Sequence, residues 1–271
     1  MSREPFLAAL RRRARVADLL ALAAVPAALL LVFRLPEPTR RGLALSHADP
    51  SLASAYTAHF VHLDAGHLAA NLAVYAVLAP VVYALCALAG RRRLFRVAFV
   101  TYLGAFPFVL SALNLALPRD VLELGFSGVA MALFGLLPLA LAEYARATFD
   151  DDLDARASPA LFFAATSVAA LAAAPFDPRT AGVSLASLLA AALYSERALG
   201  SVRLPALGDL RRAADRTGYF ELVALAAVLL VVVPFVALRG AAVGAANPYV
   251  HLLGFALGYV STYVTALVVA E

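Results

Sequence analysis

Eight apolar runs, separated by short polar connections, follow one another along the chain. Most of them approach the length of about 20 residues that a helix needs to cross a bilayer. The runs lie at roughly 16–33, 66–89, 96–117, 125–146, 159–174, 181–199, 219–238 and 247–269. The fifth and sixth are short and rich in alanine, so they meet the length requirement least well. The pattern predicts an all-α polytopic membrane helix bundle, formed as a single domain over residues 1–271.

Composition supports a membrane protein. The chain is 63% hydrophobic and only 15% charged, which is more apolar surface than one soluble core could hide. The net charge of +4 comes from arginine alone, and the arginines cluster between apolar runs rather than along one face. This distribution indicates topology signals, not nucleic-acid binding. The single cysteine, Cys86, excludes an intrachain disulfide and a cysteine-rich metal cluster.

Arginine content also predicts the topology. The N-terminus, residues 91–96 and residues 194–217 are arginine-rich, whereas alternate connections are poorer. The positive-inside rule then puts a short N-terminus, 1–15, and the C-terminus in the cytoplasm. The long segment 34–65 falls outside and is predicted to be partly structured at the interface. The first apolar run could also be a signal peptide, but no clean cleavage site leads into a soluble domain, which favours a helix.

The acidic run at 150–154 offers carboxylates that suit a hard divalent cation. No glycine-centred ligand loop accompanies it, so a solvated loop is the preferred interpretation.

Polar residues inside apolar spans are costly and mark functional candidates. Three groups of them open the second, fourth and eighth runs, and even-numbered runs all begin on the outer side. All three therefore fall in one leaflet. Their members are His62, His67 and Asn71 in the first group, Gly125 to Gly128 around Ser127 in the second, and Asn247 to His251 in the third.

This set favours acyl transfer. A serine hydroxyl becomes a nucleophile when a base takes its proton, and histidine suits that task near neutral pH. We therefore expect Ser127 as nucleophile and His251 as base, in a dyad, because no carboxylate lies near His251 in the sequence. His67, the Asn71 amide and the Ser127 backbone N–H are candidate donors to the oxyanion. Small residues at four-residue spacing, Gly254 and Gly258, together with Gly128, would let the two helices approach closely.

At these residues the sequence resembles the rhomboid family of intramembrane serine proteases. The matching patterns are His-x4-His-x3-Asn, Gly-x-Ser-Gly and His-x2-Gly-x3-Gly, in family order: His62, His67 and Asn71, then Gly125, Ser127 and Gly128, then His251, Gly254 and Gly258. The resemblance implies a six-helix core in the cell membrane, a catalytic Ser127–His251 dyad, and no metal or cofactor. It implies that His67 and Asn71 stabilise the oxyanion, that His62 supports them, and that the substrates are transmembrane proteins cut near the outer surface.

The chain departs from the family pattern at three points. Many rhomboids have a Trp-Arg pair in the first outer loop, and this chain has no tryptophan. Many have an aromatic residue four positions after the nucleophile, where this chain has Met131. Two extra spans lie between the serine and histidine helices, so a six-helix core with two additional helices is predicted.

Three other functions fit the sequence less well than proteolysis does. A catalytically inactive rhomboid-like protein that binds membrane clients has no need of both Ser127 and His251. A transporter would pair embedded carboxylates with the histidines, but Glu143 and Glu221 fall near predicted cytoplasmic ends. A zinc hydrolase on His62, Asp64 and His67 matches no metalloprotease helix spacing.

Overall fold

Twelve α-helices, one 3-10 helix and two short strands make up the computed structural model, which describes residues 4–117, 121–149, 157–173, 177–199, 216–239 and 247–269. The helices are α1 Phe6–Arg13, α2 Val16–Phe33, α3 Glu37–Leu43, α4 Leu52–Thr57, α5 Ala65–Leu88, α6 Arg92–Gly104, α7 Phe106–Leu115, α8 Ser127–Thr148, α9 Ser158–Ala173, α10 Pro178–Leu199, α11 Tyr219–Arg239 and α12 Pro248–Val269. The 3-10 helix is Ala58–Phe60, and the strands are β1 Leu45–Ser46 and β2 Leu122–Glu123.

Five helices are long and apolar enough to cross a membrane: α2, α5, α8, α11 and α12. A sixth span results if the bent pair α6 and α7 is taken as one. Large apolar side chains of these helices point outward, as at Leu20 on α2 and Val264 on α12, which fits lipid as their solvent. The all-α polytopic bundle is thus confirmed, with five or six spans in the described part of the chain where eight were predicted.

The predicted run 96–117 is broken because of its own sequence. α6 ends at Gly104, α7 begins at Phe106, and the two helices meet at 47°. Pro107 has no N–H to donate to the carbonyl of Leu103, so the hydrogen-bond ladder of one continuous helix is interrupted there.

Helix α8 lies at the centre of the bundle. Every residue from Gly128 to Tyr144 is buried, as expected for a helix that is apolar on all sides. It packs against α5, α9, α11 and, most extensively, α12. Phe134 of α8 and Phe255 of α12 have ring centroids 4.8 Å apart.

The two additional helices form a hairpin between α8 and α11. α9 packs on the bundle by stacking Phe162 on Tyr259 of α12, with 4.2 Å between ring centroids. α10 packs on α9, where the hydroxyls of Ser167 and Ser184 are 2.7 Å apart. α9 has 16 residues, which is short for a span, and α10 does not qualify as one.

The segment between α2 and α5 is structured throughout, with α3, β1, α4 and the 3-10 helix in sequence. β1 pairs antiparallel with β2, in the register Leu45 to Glu123 and Ser46 to Leu122. This small ladder, which the all-α prediction missed, ties the segment to the loop before α8.

Buried ion pairs occupy the opposite end of the bundle. Asp18 of α2 accepts from Arg96 at 2.6 Å and from the Tyr83 hydroxyl at 3.0 Å. Glu143 of α8 accepts from Arg91 at 2.9 Å. Pairing compensates the cost of burying these carboxylates. The acidic run 150–154 lies outside the described residues.

Candidate functional site

The starts of α5, α8 and α12 meet at one end of the bundle, around a cavity of about 380 Å³. His67 and Ser127 line this cavity, whereas His62 and His251 do not. Ser127 and Gly125 line it from the start of α8, His67 from the start of α5, and Asn247 and Val250 from the start of α12. The cavity lies beside the small β1–β2 ladder, because Leu45, Leu122 and Glu123 also line it.

Ser127 is the first residue of α8, and no side chain caps that helix. The first-turn N–H groups have no acceptor within the helix, so positive partial charge faces the region of the serine hydroxyl. Gly125 makes the turn into α8 with a φ of 113°, and its N–H donates to the Ala58 carbonyl at 2.9 Å. A Cβ at this position would be 2.7 Å from the His67 ring. Glycine is therefore required here both for the backbone angle and for the space.

Glycines bring α8 and α12 into backbone contact. A Cβ added to Gly254 would overlap the Gly128 carbonyl oxygen, and one added to Gly258 would lie 2.7 Å from the Cα of Ala132. A Cβ on Gly128 would lie 2.6 Å from Val250. The two helices run in parallel with this register, so His251, one turn before Gly254, lies level with the first turn of α8.

The His251 imidazole is buried, with only 3% of the residue exposed. Within the described ranges neither ring nitrogen makes a hydrogen bond of normal geometry, and none is formed to Ser127. The Ala237 backbone of α11 lies close enough to interact with the ring, in a contact outside those geometric limits. Leaving such a group unpaired costs about 1–3 kcal/mol, and buried polar groups are nearly always paired. In enzymes without substrate, catalytic hydrogen bonds are often long and tighten only in the complex.

Asn71 joins the two histidines that precede it. Its amide nitrogen donates to Nε2 of His62 and to the carbonyl of His67, both at 3.0 Å. The Phe126 N–H approaches the same His62 nitrogen at 3.4 Å. Burial, and secondly the neighbouring His67, lowers the pKa of His62 to about 4. A neutral His62 therefore serves as acceptor and links α5 to the residue before Ser127.

His67 and Asn71 differ in their relation to the cavity. The His67 ring lines it and packs edge-on to His62, with centroids 5.0 Å apart. Asn71 is buried and does not line the cavity as described, since its amide nitrogen faces His62. The role of Asn71 as an oxyanion donor stays a prediction, and it would require the amide to rotate.

A second polar cluster lies at the cavity around Asn247. The sequence placed Asn247 in the third polar group, but its contacts were not predicted. Asn247 Nδ2 donates to Asn114 Oδ1 at 3.0 Å and to the Glu123 carboxylate at 3.1 Å, and His47 Nε2 is 3.7 Å from that carboxylate. Asn114 is a polar residue within the apolar run 96–117, and this position alone could have marked it as a candidate site residue. Glu123 carries no such signal, because it lies in a loop whose position the β1–β2 ladder sets.

His59 and Ser111 form a further buried pair beside the cavity. His59 Nε2 is 3.1 Å from the Ser111 hydroxyl, which itself donates to the Ala55 carbonyl at 2.7 Å. Burial lowers the pKa of His59 to about 4. This pair joins the segment before α5 to α7.

No cluster of three or more histidine, cysteine or acidic side chains in the described ranges could hold a metal ion. Asp64, which the zinc hypothesis would use, instead caps α5 by accepting from the His67 N–H at 2.8 Å.

Comparison of the chain with protein-family models, with curated proteins and with solved structures gives no match.

Proposed function

We propose that the chain is an intramembrane serine endopeptidase of the rhomboid type, with Ser127 as nucleophile and His251 as base. Its substrates are the transmembrane segments of other membrane proteins. One observation carries the proposal: glycine contacts bring the first turn of α8, with Ser127, level with His251 on α12, which is buried and makes no hydrogen bond of normal geometry with any described residue. Ser127 also lines a cavity in which a peptide bond could be bound.

In the proposed reaction the Ser127 hydroxyl oxygen attacks the carbonyl carbon of the substrate peptide, and His251 takes the hydroxyl proton. The carbonyl oxygen of the tetrahedral intermediate becomes negatively charged. The carbon–nitrogen bond then breaks, and His251 gives its proton to the leaving amine. Water hydrolyses the Ser127 ester by the same steps and restores the dyad.

The uncapped start of α8 supports oxyanion stabilisation. Its free N–H groups are fixed donors beside Ser127, and such donors are typically worth about two to three orders of magnitude in rate. His67 adds a ring nitrogen on the same cavity wall. Asn71, together with His62, holds that wall against Phe126.

The membrane orientation follows from the two polar ends of the bundle. We propose that the end with Arg91, Arg96 and Arg146 faces the cytoplasm, as do both termini, because arginine is retained on that side. The cavity with Ser127 would then open in the outer leaflet.

Labelling with a serine-reactive fluorophosphonate tests the assignment of the nucleophile. We expect the probe to modify Ser127 alone in the protein embedded in lipid, and to fail with Ser127→Ala and His251→Ala. Ser111→Ala is the matched control, because Ser111 lines the same cavity but has its hydroxyl bonded to Ala55. Labelling that survives in Ser127→Ala, or wild-type protein that binds a membrane protein yet never labels, would favour the client-binding alternative.

A further inference from the structure

A basic cavity of about 570 Å³ lies at the end of the bundle opposite Ser127. Among the residues described, its charged lining consists of arginines alone: Arg12, Arg13, Arg15, Arg92 and Arg93. They come from the last turn of α1, from the α1–α2 connection and from the start of α6, while the end of α5 provides the apolar wall. Like charges at this density repel one another unless an anion joins them.

The arginines are only partly neutralised by the protein. Arg13 donates to the Leu88 carbonyl, and Arg92 donates to the Arg13 carbonyl and lies 3.5 Å from Asp18. Arg12 pairs with Glu4 at the surface. Arg15 and Arg93 are exposed and make no ion pair with any described residue. The cavity therefore keeps an excess of positive charge.

A largely apolar groove of about 560 Å³ runs between α2 and α5. Leu10, Arg11 and Ala14 also line it, so one further arginine borders the groove. Small side chains, including Ala23, Ala76 and Ala79, and the prolines Pro26 and Pro80 leave this space. The two helices are nevertheless tied together at its wall, because the Tyr75 hydroxyl donates to the Leu22 carbonyl at 2.9 Å. The groove is therefore an open feature of two connected helices.

The groove and the basic cavity adjoin each other along α5. Tyr83 and Ala84 line the groove, and Ala87 and Leu88, one turn later, line the basic cavity. The four residues from Tyr83 to Ala87 correspond to about 6 Å along the helix axis. The basic cavity, which suits an anionic group, is thus continuous with the apolar groove.

We propose that this composite site binds one anionic phospholipid. Its phosphate would contact the arginines, and an acyl chain would lie between α2 and α5. The apolar groove favours a lipid over a free phosphate ion, because a free ion would use only the basic cavity. Basic pockets between membrane helices are known to suit anionic head groups.

A tryptophan reporter tests this proposal without any enzymatic assay. The chain has no tryptophan, and Leu19 lines the groove, so Leu19→Trp gives one fluorophore at the site. Quenching is measured in bilayers of phosphatidylcholine with phosphatidylglycerol, brominating the acyl chains of one lipid at a time. We expect brominated phosphatidylglycerol to quench several-fold more than its mole fraction dictates.

Charge variants locate the head group. Because each arginine near an anionic lipid contributes about fivefold in affinity, Arg15→Gln with Arg93→Gln should weaken the preference for phosphatidylglycerol by roughly five- to thirtyfold. Arg34→Gln with Arg179→Gln removes the same charge from exposed residues outside the basic cavity and should change nothing. Equal effects of the two pairs would overturn the proposal, as would quenching that follows bulk composition.

A groove variant separates a lipid from a phosphate ion. Ala23→Phe keeps every arginine and fills the groove, so it should abolish the preference, measured by native mass spectrometry of lipid adducts. Glycerol phosphate should not displace the lipid at millimolar concentration. If Ala23→Phe retains the adduct, or if glycerol phosphate displaces it fully, the site binds phosphate alone and the lipid proposal is wrong.

Discussion

Gly258→Ala should disrupt both the stability and the activity of the protein by separating α8 from α12. The added Cβ would lie 2.7 Å from the Cα of Ala132, whereas ordinary contacts begin at 3.4 Å. The carbonyl oxygen of Ala132 would be nearer still. Because the contacted atoms are backbone, the helices themselves must separate by at least about 0.7 Å, and overpacking of this kind costs about 1–3 kcal/mol. His251 lies two turns from Gly258 on the same helix and would move with it. Since a misplacement of about 1 Å is enough for a 100-fold loss, cleavage should fall roughly 10- to 100-fold.

The assay combines thermal unfolding in detergent with the cleavage rate of a single-helix substrate in proteoliposomes. Gly182→Ala is the matched control, because it adds the same methyl group to α10 where nothing lies within 4 Å. It should leave cleavage unchanged and leave stability equal or slightly higher, as alanine favours a helix over glycine. The packing argument is refuted if Gly258→Ala is as stable and as active as Gly182→Ala.

Three further variants test other parts of the structure. His62 has its pKa lowered from an ordinary value of about 6.5 to about 4, so the unfolded chain takes up the proton first as the pH falls. The free energy of unfolding is then highest above pH 6.5 and decreases by roughly 3 kcal/mol towards pH 4. Chemical unfolding at pH 7 and pH 4.5 measures this decrease, which should be smaller in His62→Gln than in the wild type. An equal decrease in both proteins would contradict the assignment. Glu143→Gln leaves Arg91 and Arg146 without their buried partner. It should lower the free energy of unfolding by about 1–2 kcal/mol, because solvent screens the part-exposed arginines. The exposed control Glu37→Gln should lower it by less than about 0.5 kcal/mol. Asn71→Ala should slow cleavage by about 100-fold if the amide reaches the oxyanion; a loss no larger than that of His62→Gln would show that Asn71 acts only by positioning.

The placement of the long helices could be predicted because each apolar run carries its own signal. The number of spans could not, since the described residues contain five or six where eight were predicted. The starts of α5, α8 and α12 agree with the predicted runs within two residues. The break in the third run could not be predicted from Gly104 and Pro107 alone, since both residue types are tolerated in many membrane helices. Only the fold shows that the helix ends there. The runs for α9 and α10 were the short and alanine-rich ones, and the structure shows them as a hairpin on the side of the bundle.

Motif spacing located the cavity residues but not their hydrogen bonds. The sequence shows His67 and Asn71 on one helix face, yet only the fold shows that Asn71 faces His62 and that Gly125 makes room for the His67 ring. The cluster of Glu123, Asn247 and His47 was unpredictable, because it depends on the β1–β2 ladder and on contacts between residues far apart in sequence.

The central claim is that Ser127 and His251 cut a peptide bond within the membrane, and cleavage of a single-helix membrane substrate in lipid vesicles tests it most directly. The account predicts that wild-type protein releases two fragments, whereas Ser127→Ala and His251→Ala, folded to the same melting temperature, release none. Ser111→Ala should retain cleavage, since its hydroxyl is bonded to Ala55. Cleavage that persists in Ser127→Ala, or wild-type protein that binds the substrate and leaves it intact, would contradict the account.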